Sequence, residues 1–438
     1  MSIFLAVSNC IRSNSEMLGI YVSLIVGLAA IIYGQVEKKT ANEVFSASFP
    51  GCWQSNRLKG RAGHISASNS SAVEGRRIVA IGDVHGEVNG LREILFQAKI
   101  TSSPKSCKWR PETSSNPVLL VQNGDIVDRG ANATEAWQCL QQLQSKASTV
   151  GSQVVRLVGN HELLWLEGMI RYRNKESDTP KKVLALVKKM KKDINSGALQ
   201  GAFNLDHVSG ISMLFIHAGI RPQMLDKFGQ YLKKEEEEQQ IEKLMKSLAK
   251  AKEKENEIEE LNELDSQDQK SQEEIAVPIK IEEKVVKIEE KVVPSAAFIA
   301  KYMNDNLQKD LKKCVGAQEM CSLKTDLYGA GPERGGGSVG GPYWTDFRVL
   351  EIASSQSGET SYAPFVQIVG HTVKRGQIRH TRGLQAICID HGMFIGGRAY
   401  LEITKEGRFT AHEKQNIDGP KNKQKWACRD LSSVACTV

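Results

Sequence analysis

The sequence predicts an α/β (α+β) domain broken by insertions, and three observations predict it. The chain has 438 residues, beyond the roughly 100–200 of an ordinary domain, so it fits one large domain with insertions or two domains. Apolar residues make up 40% and charged residues 25%, which excludes collagen-like and wholly disordered chains. Five short, β-branched apolar runs each stop at a cluster of Asp, Asn, His and Gly, as buried strands with polar C-terminal ends do. The net charge of +7 is too mild for a dedicated nucleic-acid binder, and no nucleic acid is expected as a partner.

The first element is the apolar stretch MLGIYVSLIVGLAAIIYG, residues 17–34, uncharged and followed by Glu37, Lys38 and Lys39. It sits at the lower length limit of a membrane span and reads as a single-pass anchor within residues 1–40. The alternative is a cleaved signal peptide leading to a secretory or organelle lumen. Residues 41–75, ending in SASNSSAVEG, have the Ser/Gly/Asn bias of a linker. Residues 233–293 are dominated by Glu, Lys and Gln, lack aromatic residues and end in KIEEKVV repeated at Lys280 and Lys287. Such a stretch buries no core of its own and reads as a solvated insertion in a surface loop, its seven-residue period suggesting helix where ordered, with a coiled-coil or docking segment as the alternative. It divides the folded part into blocks 76–232 and 294–411, and residues 412–438 read as a tail without defensible chemistry.

The strands carry the chemistry. RRIVAI leads into Asp83 and His85, PVLLVQN into Asp125, Asp128 and Arg129, and SQVVRLV into Asn160, His161 and Glu162. SMLFI leads into His217 and FVQIV into His371. A buried strand holds the backbone still while the loop at its end aims carboxylate and imidazole, good ligands for divalent metals. Asp83 and His85 are two apart and project to one side. Six donors, Asp83, His85, Asp125, Asn160, His217 and His371, exceed one tetrahedral ion and suit two ions sharing a carboxylate. The ordered set, each member after a strand, is far more specific than any one member.

These residues resemble the calcineurin-like metallophosphoesterases: GDVHG at Gly82, GDIVDRG at Gly124, GNHE at Gly159, HAGIRP at His217 and GHT at Gly370. Within them the pattern is most similar to phosphoprotein phosphatases of the Shewanella-like branch. The resemblance implies a β-sandwich flanked by helices, with two divalent ions (manganese, iron or zinc) at the strand ends. By motif matching, Asp83, His85 and His371 would hold one ion, Asn160 and His217 the other, with Asp125 bridging. It implies a protein serine/threonine phosphatase in which metal-activated water attacks phosphorus directly. His161, oriented by Asp128, is the candidate acid for the leaving alkoxide. Arg129, Arg221 and Arg348 are candidate phosphate clamps, because guanidinium matches two phosphoryl oxygens. The alternative is an ApaH-like hydrolase of dinucleoside polyphosphates or RNA caps, against which Asp128 and Glu162 speak.

Nine cysteines without a CxxC pair read as scattered reduced thiols, with Cys314/Cys321 and Cys428/Cys436 able to pair in an oxidising lumen. Two sequons, at Asn69 and Asn132, are acceptors only in such a lumen, and Asn132 is expected instead to cap the helix TEAWQCLQQL. The run Gly335–Gly337 reads as a loop, since no Lys-Ser/Thr pair follows it. Trp344, just upstream of the last ligand strand, is expected to pack under the site.

Overall fold

The computed structural model describes residues 76–265, 292–314, 321–323, 325–357, 361–416 and 424–432. The chain divides into two units, and the architecture below is that of Ser66–Met245 with Lys291–Val438. The expected anchor at 17–34, the linker at 41–75 and the KIEEKVV repeat lie outside the described residues, apart from Val292 and Val293 at the end of that repeat. Among the described residues, no helix is long and apolar enough to cross a membrane.

All five ligand-bearing runs are strands: β1 (Arg77–Ile81), β2 (Val118–Gln122), β3 (Gln153–Leu157), β6 (Ser212–Ile216) and β7 (Val366–Val369). They are shared between two sheets. Counting β4 (Leu199–Gln200), β5 (Ala202–Asp206), β8 (Arg379–His380), β9 (Ala386–Cys388), β10 (Ala399–Ile403), β11 (Phe409–Asn416) and β12 (Gln424–Asp430), the sheets run β12-β11-β10-β1-β2-β3-β4 and β5-β6-β7-β9-β8. Pairing is parallel between β1, β2 and β3, and between β6, β7 and β9, so their C-terminal ends converge.

Alternation assigns each strand residue to a layer. Ile78, Ala80, Leu119 and Val121 face Phe215, Met213, Ile368 and Ile387 in a core between the sheets. Val79, Ile81, Val118 and Leu120 face outward to α1 (Val88–Gln97) and α2 (Ala133–Lys146), whose Leu91, Ile94, Trp137 and Leu140 are buried. Burying such a side chain stabilises by about 1.5–3 kcal/mol, which is why runs apolar at every position become central strands. Asn132 does cap α2: its Oδ1 accepts from Glu135 N at 3.1 Å.

The start of the Glu/Lys-rich insertion, residues 233–265, continues one helix, α5 (Pro222–Asp265), after α3 (Asn160–Leu166) and α4 (Pro180–Asn195). Its first turns are pinned by Tyr231 stacking on Tyr302 of α6 (Ala296–Leu311), ring centroids 4.8 Å apart. Two expectations are corrected. The stretch from 412 onward completes β11 and adds β12, because cross-strand pairing with β10 supplies the partners that a lone reading of the tail lacks. Finally, the thiols are not all free: Cys107 pairs with Cys139 and Cys314 with Cys321, Cα atoms 5.2 and 4.3 Å apart. The first pair is 32 residues apart in sequence and forms only because the loop before β2 packs on α2.

Candidate metal centre

The centre lies along the C-terminal ends of the parallel strands of the two sheets. Backbone bonds sew the ligand loops together: Val84 and His85 N–H donate to Asp125 O at 2.9 and 2.8 Å, and Gly370 N–H donates to His217 O at 2.7 Å. Asn123 Nδ2 reaches across to Ile368 O at 2.6 Å, tying β2 to the second sheet. Glu162 Oε2 accepts from Asp125 and Gly159 N–H, and Oε1 from Ile126 and Val127 N–H, at 2.8–3.1 Å. One fully buried carboxylate thus binds the Asp125 turn to the start of α3.

The backbone here is strained. Among the described residues, seven non-glycine positions have positive φ, and five are His85, Asp125, Asp128, Arg129 and His371, at 48–71°. Each costs about 1–3 kcal/mol and persists only because the surrounding bonds over-determine it. Close approach also demands glycine: a Cβ at Gly159 would lie 2.2 Å from Asp125 Oδ1, and one at Gly370 would lie 2.3 Å from Asp83 Oδ1.

Asp125 sits between two groups of donors. Its Oδ2 is 3.5 Å from His85 Nε2 on one side and 3.5 Å from His217 Nε2 on the other. Asp83 Oδ2 lies 3.8 Å from His85 Nε2 and has no hydrogen-bond partner although buried. On the second side Asn160 Oδ1 is 2.9 Å from both His217 Nε2 and His371 Nδ1, and those two nitrogens are 3.2 Å apart. The motif-based grouping of His371 with Asp83 and His85 is therefore corrected. Only its backbone N–H reaches Asp83, at 2.9 Å, while its ring joins His217 and Asn160. His371 itself lies in the left-handed region, φ 67°.

The donor set fits divalent cations. His85 Nδ1 and His217 Nδ1 face the carbonyls of Val127 and Asn123 at 2.9 and 2.8 Å. A carbonyl only accepts, so these nitrogens carry the proton and each Nε2 presents a lone pair inward. Burial holds His85 down at about 3 and lowers His217 and His371, where the Arg334 charge adds to the effect. Burial works against ionised Asp125, yet His217, His161 and His85 hold its pKa below the ordinary carboxylate value. Neutral imidazole beside ionised carboxylate is the protonation state that metal binding requires. Asp83 is pushed well up by burial, then by Asp390 and Asp125, a repulsion that a cation relieves.

Beside Asp125 stands an acid–base pair. His161 Nδ1 donates to Asp128 Oδ2 at 2.5 Å, and Trp165 Nε1 donates to Asp128 Oδ1 at 2.6 Å. Burial would lower the His161 pKa, but the Asp125 charge and the Asp128 hydrogen bond outweigh it and raise it. Arg129 Nη2 is 3.1 Å from His161 Nε2, with its guanidinium 4.8 Å over the Phe394 ring. The structure therefore brings His161, Asp128 and Arg129 to the six donors.

It does not bring Arg221 and Arg348 there as free clamps. Arg221 is buried and ion-paired with Glu333, and Gly340 packs on its guanidinium. Arg348 is exposed at the start of α7 (Phe347–Gln356), where Asp346 caps the helix by accepting from its N–H at 3.0 Å. Trp344 meets the His371 ring edge-on at 6.0 Å. Sequence reasoning missed Tyr172, 43% exposed with its ring 5.4 Å from His161, Phe394, 5.2 Å from His85, and Arg334, bound to Asp346 at 2.9 Å. It also missed Asp390, a buried carboxyl beside Asp83 that burial and the Asp125 charge push up to about 6. Only the CIDHG segment after β9, one more polar cluster ending a strand, hinted at Asp390.

Residues 76–273 match the family model of calcineurin-like phosphoesterases, so the chain carries a calcineurin-like metallophosphoesterase domain, the fold of a hydrolase. Two curated relatives agree. Shewanella-like protein phosphatase 1 of Plasmodium berghei is 39% identical over 98 residues, 22% of this chain and 25% of that protein. Shewanella-like protein phosphatase 2 of Arabidopsis thaliana is 34% identical over 100 residues, 23% of this chain and 24% of that protein. The chain thus spans about a quarter of the length of these relatives. Among solved structures, the cold-active protein-tyrosine phosphatase of a psychrophilic Shewanella species superposes over 80% of each chain, with 16% identity and a TM-score of 0.45.

Proposed function

We propose that this chain is a metal-dependent phosphomonoester hydrolase acting on phosphoserine and phosphothreonine in proteins. The observation that carries the reading is the place of Asp125, within 3.5 Å of an imidazole on each side and 4.0 Å from His161 Nε2. Asp83 and His85 would hold one divalent ion, Asn160, His217 and His371 the other, and Asp125 both. Such ions lower the pKa of coordinated water and neutralise phosphoryl charge.

The chain's own residues supply the rest. Arg129 offers a bidentate fork to phosphoryl oxygens and is preset over Phe394. His161, whose pKa the Asp125 charge and the Asp128 hydrogen bond raise, is placed to deliver a proton to the leaving oxygen, which an alkoxide of serine or threonine needs more than a phenoxide does. Asp128 is held by Trp165 as well and so fixes the imidazole. The names of the curated relatives support a phosphoprotein substrate over a dinucleoside polyphosphate.

The test compares phosphate release by the purified chain with manganese from phosphoserine/threonine peptides, phosphotyrosine peptides and diadenosine tetraphosphate. Preferential turnover of the first class supports the proposal. Preferential turnover of either other class overturns the substrate assignment, and silence on all three with metals bound overturns the enzyme reading.

A further inference from the structure

The seven-stranded sheet ends in the β11–β12 hairpin, where His412 and Cys428 face each other across the ladder. Cys428 Sγ lies 3.1 Å from His412 Nδ1, and His412 Nε2 lies 3.2 Å from Glu402 Oε2 on β10. A carboxylate only accepts, so Nε2 keeps the proton and Nδ1 turns its lone pair to the thiol. Tyr400 stacks on the imidazole, centroids 4.4 Å apart and planes within 5°, which holds the ring in that orientation. Glu402 is itself steadied by Arg77 Nη1 at 3.5 Å. Burial would raise the Glu402 pKa, yet the His412 hydrogen bond and Arg77 keep it below the ordinary value, so the orienting carboxylate stays ionised.

Thiol, imidazole and carboxylate thus stand in the order of nucleophile, base and orienting group. The other cysteines with defined surroundings differ. Cys388 is buried, which pushes its thiol pKa well up, and Cys107, Cys139, Cys314 and Cys321 are bonded in pairs. Cys428 is exposed.

We propose that Cys428 is an activated thiol that undergoes exchange with small external disulfides, a modification site separate from the metal centre. The Cys428 proton passes to His412 Nδ1, and the thiolate attacks one sulfur of the reagent. A new S–S bond forms as the reagent's own breaks, and the departing sulfur takes the proton from His412 and leaves as a thiol. Cys428 is oxidised to a mixed disulfide and half of the reagent is reduced, so the exchange needs no other oxidant.

The test treats the full chain with oxidised glutathione and follows the tryptic peptide Trp426–Arg429 by mass spectrometry, in wild type, His412→Gln, Glu402→Gln and Cys428→Ser. Glutathionylation of that peptide in wild type, slowed about tenfold or more in both the His412 and Glu402 variants and absent in Cys428→Ser, supports the proposal. Equal rates in wild type and Glu402→Gln, which leaves the Tyr400 stack in place, overturn it. So does a wild-type peptide that remains unmodified while free glutathione exchanges.

Discussion

The strand-end centre and the segment from Tyr328 to Asp346 both carry charged groups, and they are built in opposite ways. In the centre each donor follows a buried strand; His85, Asp125 and His371 sit on positive-φ backbone, and backbone carbonyls fix the rings of His85 and His217. In the loop, charges satisfy one another: Arg221 with Glu333, and Arg334 with Asp346. A strand end spends stability to aim a side chain at something the chain lacks, whereas a loop relaxes until its charges find partners inside the chain. Buried carboxylate and imidazole atoms without partners thus stand apart from charges already paired within the fold.

The sharpest break is at the shared carboxylate. Asp125→Asn is expected to lower phosphate release by about 10³-fold or more and to reduce bound metal, read by single-turnover kinetics and elemental analysis. Retained activity would end the two-ion assignment. Next, His161→Ala should cost about 10²–10⁴-fold on phosphoserine peptides and much less on an aryl phosphate, whose leaving group needs no proton. An equal loss on both would mean that His161 positions and does not donate.

The pH profile tests the partner. The Asp125 and Asp128 contacts raise the His161 pKa, so the protonated acid persists above the ordinary value and activity falls as pH rises through the raised one. Asp128→Asn removes one raising contribution, and the alkaline limb is expected to move to lower pH; a limb that stays in place assigns it to another group.

Smaller effects come from the loop. Arg221→Ala should lower stability by about 2 kcal/mol in denaturant titration, because Glu333 loses its partner, with less change in kcat than His161→Ala produces. Arg348→Ala is expected to change kcat/KM by less than about twofold. A large loss there would show that the exposed arginine reaches bound substrate after all.

Much of this was legible in the sequence because strand and ligand are neighbours in it. Apolar, β-branched runs such as RIVAI and VLLVQ fix buried strands with period-two alternation, and the polar residue that follows must sit at the strand's end. The illegible parts depend on elements far apart in the chain. The Arg221–Glu333 pair spans 112 residues, so no local pattern marks Arg221 as engaged, and the same holds for the Cys107–Cys139 bridge. Likewise the hairpin that brings Cys428 to His412 reads as a polar tail until β10 is there to pair with it.

By itself, then, the sequence determined the α/β class, the five ligand strands and the six donors, because hydrophobic periodicity and adjacent side chains are local properties. Tertiary structure alone decided which donors lie together, which arginines are engaged in ion pairs and which cysteine faces a histidine. Those depend on where two sheets meet and which charges find partners across them, and such contacts carry no fixed spacing along the chain.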